Sequence, residues 1–91
     1  MKEIRKSTQF KKDFKRIKNN LVTVEKLFDV IGFLEREEPV PAEFKPHMLS
    51  GNLAGVMECH VESDSLLLWL DEESNIIRLL RFGSNSEVLG M

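Results

Sequence analysis

Cysteine occurs once in these 91 residues, at Cys59, so no disulfide can close within the chain. That fits a reducing, cytoplasmic setting. Tyrosine is absent, and histidine occurs only at positions 47 and 60. No apolar run approaches the roughly 20 residues that a membrane helix needs. No apolar signal core follows the basic start Met1-Lys2-Glu3-Ile4-Arg5-Lys6. The patterns H-x-x-x-H, H-E-x-x-H and C-x-x-C are missing, and so are the glycine-rich phosphate loops. The sequence therefore points to no metal and no cofactor. Gly51, Gly55 and Gly83 read as turn and close-packing positions instead.

What is present describes one globular domain over residues 1–91, with 42% hydrophobic and 31% charged residues. A chain this short buries only about 60–65% of its unfolded surface. The net charge of −2 conceals a division. Residues 1–18 hold eight Lys and Arg against Glu3 and Asp13, and the remainder is strongly acidic. Such a block is either a solvated helix face or a surface for a polyanion.

Periodicity gives the elements. Residues 2–6 alternate as a short edge strand. Ser7 or Thr8 caps a helix to about Lys18, with Phe10, Phe14 and Ile17 on one stripe and Lys11, Lys12, Lys15 and Lys18 around it. A second helix runs from about Leu21 to Arg36, its core stripe being Leu21, Val24, Leu27, Phe28, Ile31 and Leu34, widened by Val30 and Phe33. The two should pack as an antiparallel hairpin. Pro39-Val40-Pro41 ends the helical part, and residues 37–52 read as loop. Strands follow at 55–62, 66–70 and 76–82, the second apolar on both faces and therefore central. A hairpin loop spans 71–75, Gly83-Ser84-Asn85-Ser86 breaks the last strand, and a short tail closes the chain. The expected fold is α+β in the order β-α-α-β-β-β, with a helical hairpin on one face of an antiparallel sheet.

The candidate chemistry lies between Phe44 and Asp64. His47 belongs to the expected loop, and His60 shares a strand face with Glu58 and Glu62; Asp64 follows at the strand end. Two histidines and a carboxylate suit proton transfer near neutral pH. Structural histidines are the ordinary alternative. Cys59 faces the core side and reads as inert packing. Arg78 and Arg81 are three residues apart and should face opposite sides; one of them can hold a phosphate or pair with Glu58, Glu62 or Asp64. Trp69 and Phe82 suit either a core or base stacking.

The spacing P-x-P-A-x-F-K-x-H-x-L-x-G (Pro39 to Gly51) and G-x-x-x-x-H-V-E-x-D (Gly55 to Asp64) resembles the YafQ branch of the RelE toxin superfamily. The S-x-x-F-K-K-D-x-K run from Ser7 to Lys15 fits, as do Arg81, Gly83, Ser84 and Leu89. The resemblance covers essentially the whole chain. It implies a RelE-like fold and a type II toxin: a ribosome-associated mRNA endoribonuclease silenced by a cognate antitoxin. It implies metal-free attack of a ribose 2′-OH on the adjacent phosphate. Its catalytic set maps to His47, His60, Asp64 and Arg81. The charge division itself suggests RNA contacts at Lys11, Lys12 and Lys15, with Lys45 and Asn85 as further candidates. The sequence departs from the pattern at Asn85, where relatives usually carry histidine, at Leu89, where an aromatic is common, and at Ser65. Asparagine can hydrogen-bond a phosphate or base but cannot transfer a proton at neutral pH. A non-catalytic binding protein on this scaffold and a gyrase-directed toxin of the ParE kind are the alternatives; the two histidines argue against the latter.

Overall fold

The structure, a computed structural model, describes residues 1–72 and 75–90. Strand β1 (Glu3–Lys6) leads into helices α1 (Thr8–Ile17) and α2 (Leu21–Glu35). The Ser7 hydroxyl accepts the Phe10 amide at 2.9 Å, and the Asn20 side chain accepts the Thr23 amide at 3.3 Å, so both helices begin on a side-chain cap. Lys15 and Arg16 occupy the last turn of α1, where cations complement the helix dipole. Strands β2 (His47–Met48), β3 (Met57–Glu62), β4 (Ser65–Glu72) and β5 (Ile76–Gly83) and a short helix α3 (Asn85–Leu89) complete the chain.

The five strands form one sheet in the order β1-β5-β4-β3-β2. The central position of β4 follows from its apolar character, Leu66 to Trp69 all being buried. The sheet is mixed, because β1 returns beside β5 in parallel across the helical crossover. This pairing ends at Lys6 opposite Leu79, so the later residues of β5 expose a backbone edge. Helix α1 packs on β5, α2 on β3, and α3 against β4 and β5. Phe10, Leu27, Val30, Cys59, Leu67, Trp69, Leu79 and Phe82 fill the space between the helical pair and the sheet.

Several expectations change. The buried stripe of α2 is Thr23, Leu27, Val30 and Leu34; Leu21 is 76% and Phe28 49% exposed. Phe28 instead meets Phe14 of α1, ring centroids 6.0 Å apart. The expected loop at 37–52 contains two single helical turns, Ala42–Phe44 and Gly51–Leu53, and between them the two-residue strand β2. The expected tail is α3, whose start is a capping box: Ser84 and Glu87 each bond the other's backbone amide. The hairpin loop read at 71–75 includes residues 73 and 74, which lie outside the described residues.

Candidate active site

The pairing of β2 with β3 decides where His47 lies. It sits directly across from Glu58, not in a loop. Glu58 is opposite Leu68 of β4, and Leu68 is opposite Arg81 of β5. His47, Glu58, Leu68 and Arg81 thus form one row across four strands. Cys59 is buried in the core, so its neighbours Glu58 and His60 share the other face of β3. His47 and His60 are diagonal cross-strand neighbours, roughly 7–8 Å apart at the backbone. His60 is opposite Leu66, which is opposite Gly83, so α3 begins near the end of that next row.

Both ring nitrogens of His47 meet acceptors. Nδ1 is 2.9 Å from the Lys45 carbonyl oxygen, and Nε2 is 3.1 Å from Glu58 Oε1. Lys45 holds this carbonyl in place from a left-handed conformation, φ 51°, at the end of the Ala42–Phe44 turn. A carbonyl and a carboxylate can only accept. Glu58 can therefore pair with Nε2 only where one of the two groups carries a proton. Glu58 is 5% exposed, and its second oxygen has no hydrogen-bond partner among the described residues. Half of the His47 side chain remains exposed, so the ring is accessible.

His60 has no hydrogen-bond or ion-pair partner among the described residues. It borders a cleft of about 560 Å³ at the exposed end of β3, between α2 and the Ala42–Phe44 turn, together with Lys26, Asp29, Phe44 and Lys45. Glu62, expected beside His60, turns to the helical layer instead. A register shift between His60 and Glu62 redirects it, and it accepts the Thr23 hydroxyl at 2.6 Å.

Arg81 is brought to the site by a second irregularity. The register shift between Leu68 and Trp69 leaves Leu80 without an opposite residue, so the alternation reverses. Ile77, Leu79 and Phe82 point into the core, and Arg78 and Arg81 share the other face. Neither arginine takes the expected partners. Arg78 donates to Glu72 at 2.7 Å, and Arg81 donates from Nε and Nη2 to Asp13 of α1 at 2.8 and 3.2 Å. This bond raises the Arg81 pKa, so the guanidinium stays charged.

Asp64 lies exposed in the β3–β4 turn and bonds neither histidine among the described residues. Asp64→Asn is expected to shift stability by less than about 0.5 kcal/mol in urea unfolding; a larger loss would reveal a tie that this geometry lacks. Asn85 is the exposed first residue of α3. Lys11, Lys12 and Lys15 are exposed on α1. Two of them rim a separate apolar pit of about 210 Å³ over Phe10, Phe14 and Phe28, so α1's basic block lines neither the histidine cleft nor the His47–Glu58 pair. Burial, and then the Glu58 charge, pushes the Cys59 thiol up to about 12, which leaves it inert.

Sequence reading missed the partners of His47 and Arg81. Glu58 carried a signal, as it alternates with His60. Asp13 carried another: an acid three residues after Phe10 and four before Ile17 sits within the apolar stripe of a basic helix. Burial acts to raise its pKa, but the hydrogen bonds from Arg81 and the Phe82 amide outweigh this and hold it low. A depressed native pKa stabilises the fold above the unfolded value, and this is lost as pH falls through the native one. The parent should therefore lose urea resistance more steeply than Asp13→Asn between about pH 5 and pH 2. Parallel curves would count against the assignment.

The same architecture occurs in proteins of known structure. A metal-bound toxin from Helicobacter pylori matches with a TM-score of 0.86 at 36% identity, over 97% of this chain and 99% of that one. YafQ from E. coli strain BL21(DE3) matches with a TM-score of 0.88 at 28% identity, over 99% and 100%. YafQ in the E. coli DinJ-YafQ toxin-antitoxin complex matches with 0.84 at 29%, over 98% of each chain. No curated protein sequence matches. Among the described residues, no group of three or more His, Cys, Asp or Glu side chains is placed to hold a metal ion. The helices on a five-stranded mixed sheet define a RelE-like toxin fold. The family model for YafQ, bacterial toxins of type II toxin-antitoxin systems, matches residues 2–90, and the chain belongs to that family.

Proposed function

We propose that the chain is an mRNA endoribonuclease acting at the ribosome, with His47, His60 and Arg81 around the scissile phosphate. The observation that carries this reading is the diagonal placement of the two histidines, one without a partner among the described residues and one hydrogen-bonded to the Lys45 carbonyl with Glu58 3.1 Å from its other nitrogen. His60, whose ring has no partner among the described residues, takes the proton of the ribose 2′-OH. The 2′-oxygen attacks phosphorus, and the bond from phosphorus to the 5′-oxygen breaks. His47, whose ring nitrogens face Glu58 and the Lys45 carbonyl, gives the leaving oxygen its proton. The products are a 2′,3′-cyclic phosphate and a 5′-hydroxyl. Arg81 is two strands and one diagonal step from His60, roughly 12 Å at the backbone, a span that two long side chains converging on one phosphate can cover. It offers the developing charge a fixed cation. Asn85 contributes a hydrogen bond and no proton. Asp64 has no role in proton transfer in this scheme.

The YafQ relative forms a complex with the antitoxin DinJ. For this chain we assign a cognate antitoxin as inhibitor and the cytoplasm as site of action; no helix is long and apolar enough to cross a membrane among the described residues. The basic face of α1, with Lys45, contacts RNA phosphates without reading sequence. Reversing charge at Lys11, Lys12 and Lys15 should weaken ribosome binding and flatten its salt dependence. Unchanged binding would remove α1 from the interface.

The test of the function is expression of the parent and of His60→Ala, with the ends of cellular transcripts mapped. Growth arrest with new 5′-hydroxyl ends in the parent, both absent in a folded mutant, is the expected result. Arrest that survives loss of both histidines would defeat the scheme.

A further inference from the structure

We infer that Asp13 is the positioning residue for Arg81, holding the guanidinium in the orientation that meets the scissile phosphate. The inference rests on the proposed role of Arg81. Asp13 is 1% exposed on a helix otherwise lined with lysines. Its carboxylate gathers donors from two elements, β5 and α1 itself. Arg81 donates from Nε and Nη2, the Phe82 amide donates at 2.9 Å, and Arg16 of the same helix donates from Nη2 at 2.9 Å.

Three features of the chain make this clasp. The parallel partner of β5 stops at Leu79, which leaves the Phe82 amide on an open edge. Ser7, the cap of α1, takes part of the same edge, donating to the Leu80 carbonyl at 2.8 Å and fixing α1 beside it. The irregularity at Leu80 then turns Arg81 away from the core while Phe82 stays in it. A two-point bond from Nε and Nη2 fixes the plane of a guanidinium, not merely its distance. It leaves Nη1 outside the clasp, and the Arg81 side chain keeps 27% of its surface exposed. Arg16 extends the clasp to the last helix, since its Nη1 lies 3.0 Å from Glu87. Glu87 closes the capping box that starts α3 at Asn85. One buried carboxylate thus sets the orientation of Arg81 and, through Arg16, braces the helix that presents Asn85.

A simple structural ion pair would serve folding alone, and the two roles separate in kinetics. The experiment compares the parent with Asp13→Asn, Arg81→Gln and the double variant, using ribosome-bound mRNA. Cleavage, thermal unfolding and the Arg81 Nε–H signal in nitrogen-15 spectra are measured. Asp13→Asn should lower kcat about 10- to 100-fold, corresponding to 1.4–2.7 kcal/mol, with KM within about threefold of the parent. The protected Nε–H signal should disappear. In the Arg81→Gln background the same change should cost no further activity, because nothing is left to orient.

Parent-like cleavage by Asp13→Asn beside an inactive Arg81→Gln overturns the inference and leaves the function standing. An equal kinetic cost in both backgrounds also overturns it. Parent-like cleavage by Arg81→Gln instead removes the role of Arg81, and the inference with it. Should Asp13→Asn fail to fold, Asp13→Glu is judged by the same criteria; it keeps the charge but displaces the clasp by one methylene.

Discussion

Glu58→Gln is expected to lower mRNA cleavage by about 10²–10⁴-fold, the range a positioned proton donor contributes, without lowering the melting temperature. The reason is the hydrogen-bond arithmetic around His47. With glutamate, both ring nitrogens face acceptors, at 2.9 and 3.1 Å, and His47 pairs with Glu58 only when one of them carries an exchangeable proton. A glutamine amide can donate to Nε2 while Nδ1–H still donates to the Lys45 carbonyl. The neutral ring then satisfies every contact, and the proton intended for the leaving oxygen is gone. Replacing a buried carboxylate with one oxygen unpartnered among the described residues removes a desolvation cost. Stability should stay level or rise. Cleavage rate, the yield of cyclic-phosphate ends and a thermal melt are measured together. Parent-like cleavage would show that His47 transfers no proton, and a melt lowered in step with activity would show a structural pair instead.

Phe82→Ala should give the largest loss of stability, about 3–5 kcal/mol. Phe82 is 1% exposed and lies opposite Leu67 at the centre of the core. Total stability for a chain of this length is roughly 5–14 kcal/mol, so much of it would go. At 4–8 °C per kcal/mol the melting temperature should fall by roughly 12–40 °C. The effect extends to the site, because the Phe82 amide donates to Asp13 and Phe82 fixes the side to which Arg81 turns. The urea midpoint provides the measurement. A loss below about 1 kcal/mol would mean that the core collapses around the missing ring.

The helical pair and the three long strands were legible in the sequence because their signals are local. Capping groups, a 3.6-residue stripe and alternation all act within one element. The α2 stripe went partly astray at Leu21 and Phe28 because periodicity fixes a face only to within about one residue in each direction. Thr23 lies on the buried side, where its hydroxyl meets Glu62. Strand β2 was illegible, since two residues carry no period. Helix α3 was hidden for a similar reason, its five residues beginning inside a Gly-Ser-Asn-Ser run that reads as a turn.

The sequence by itself determined the α+β class, the order of the helical pair and the three long strands, the family motif and the placement of both histidines near one strand. These follow from residue chemistry and short-range spacing. Tertiary structure alone decided which groups meet. His47 and Glu58 pair because β2 adds to the edge of β3 in one register. Asp13 and Arg81 are 68 positions apart and meet because β1 ends early and β5 shifts register at Leu80. Shifts of this kind reverse which face a side chain takes, and they arise from the fit between strands, which no single stretch of sequence contains.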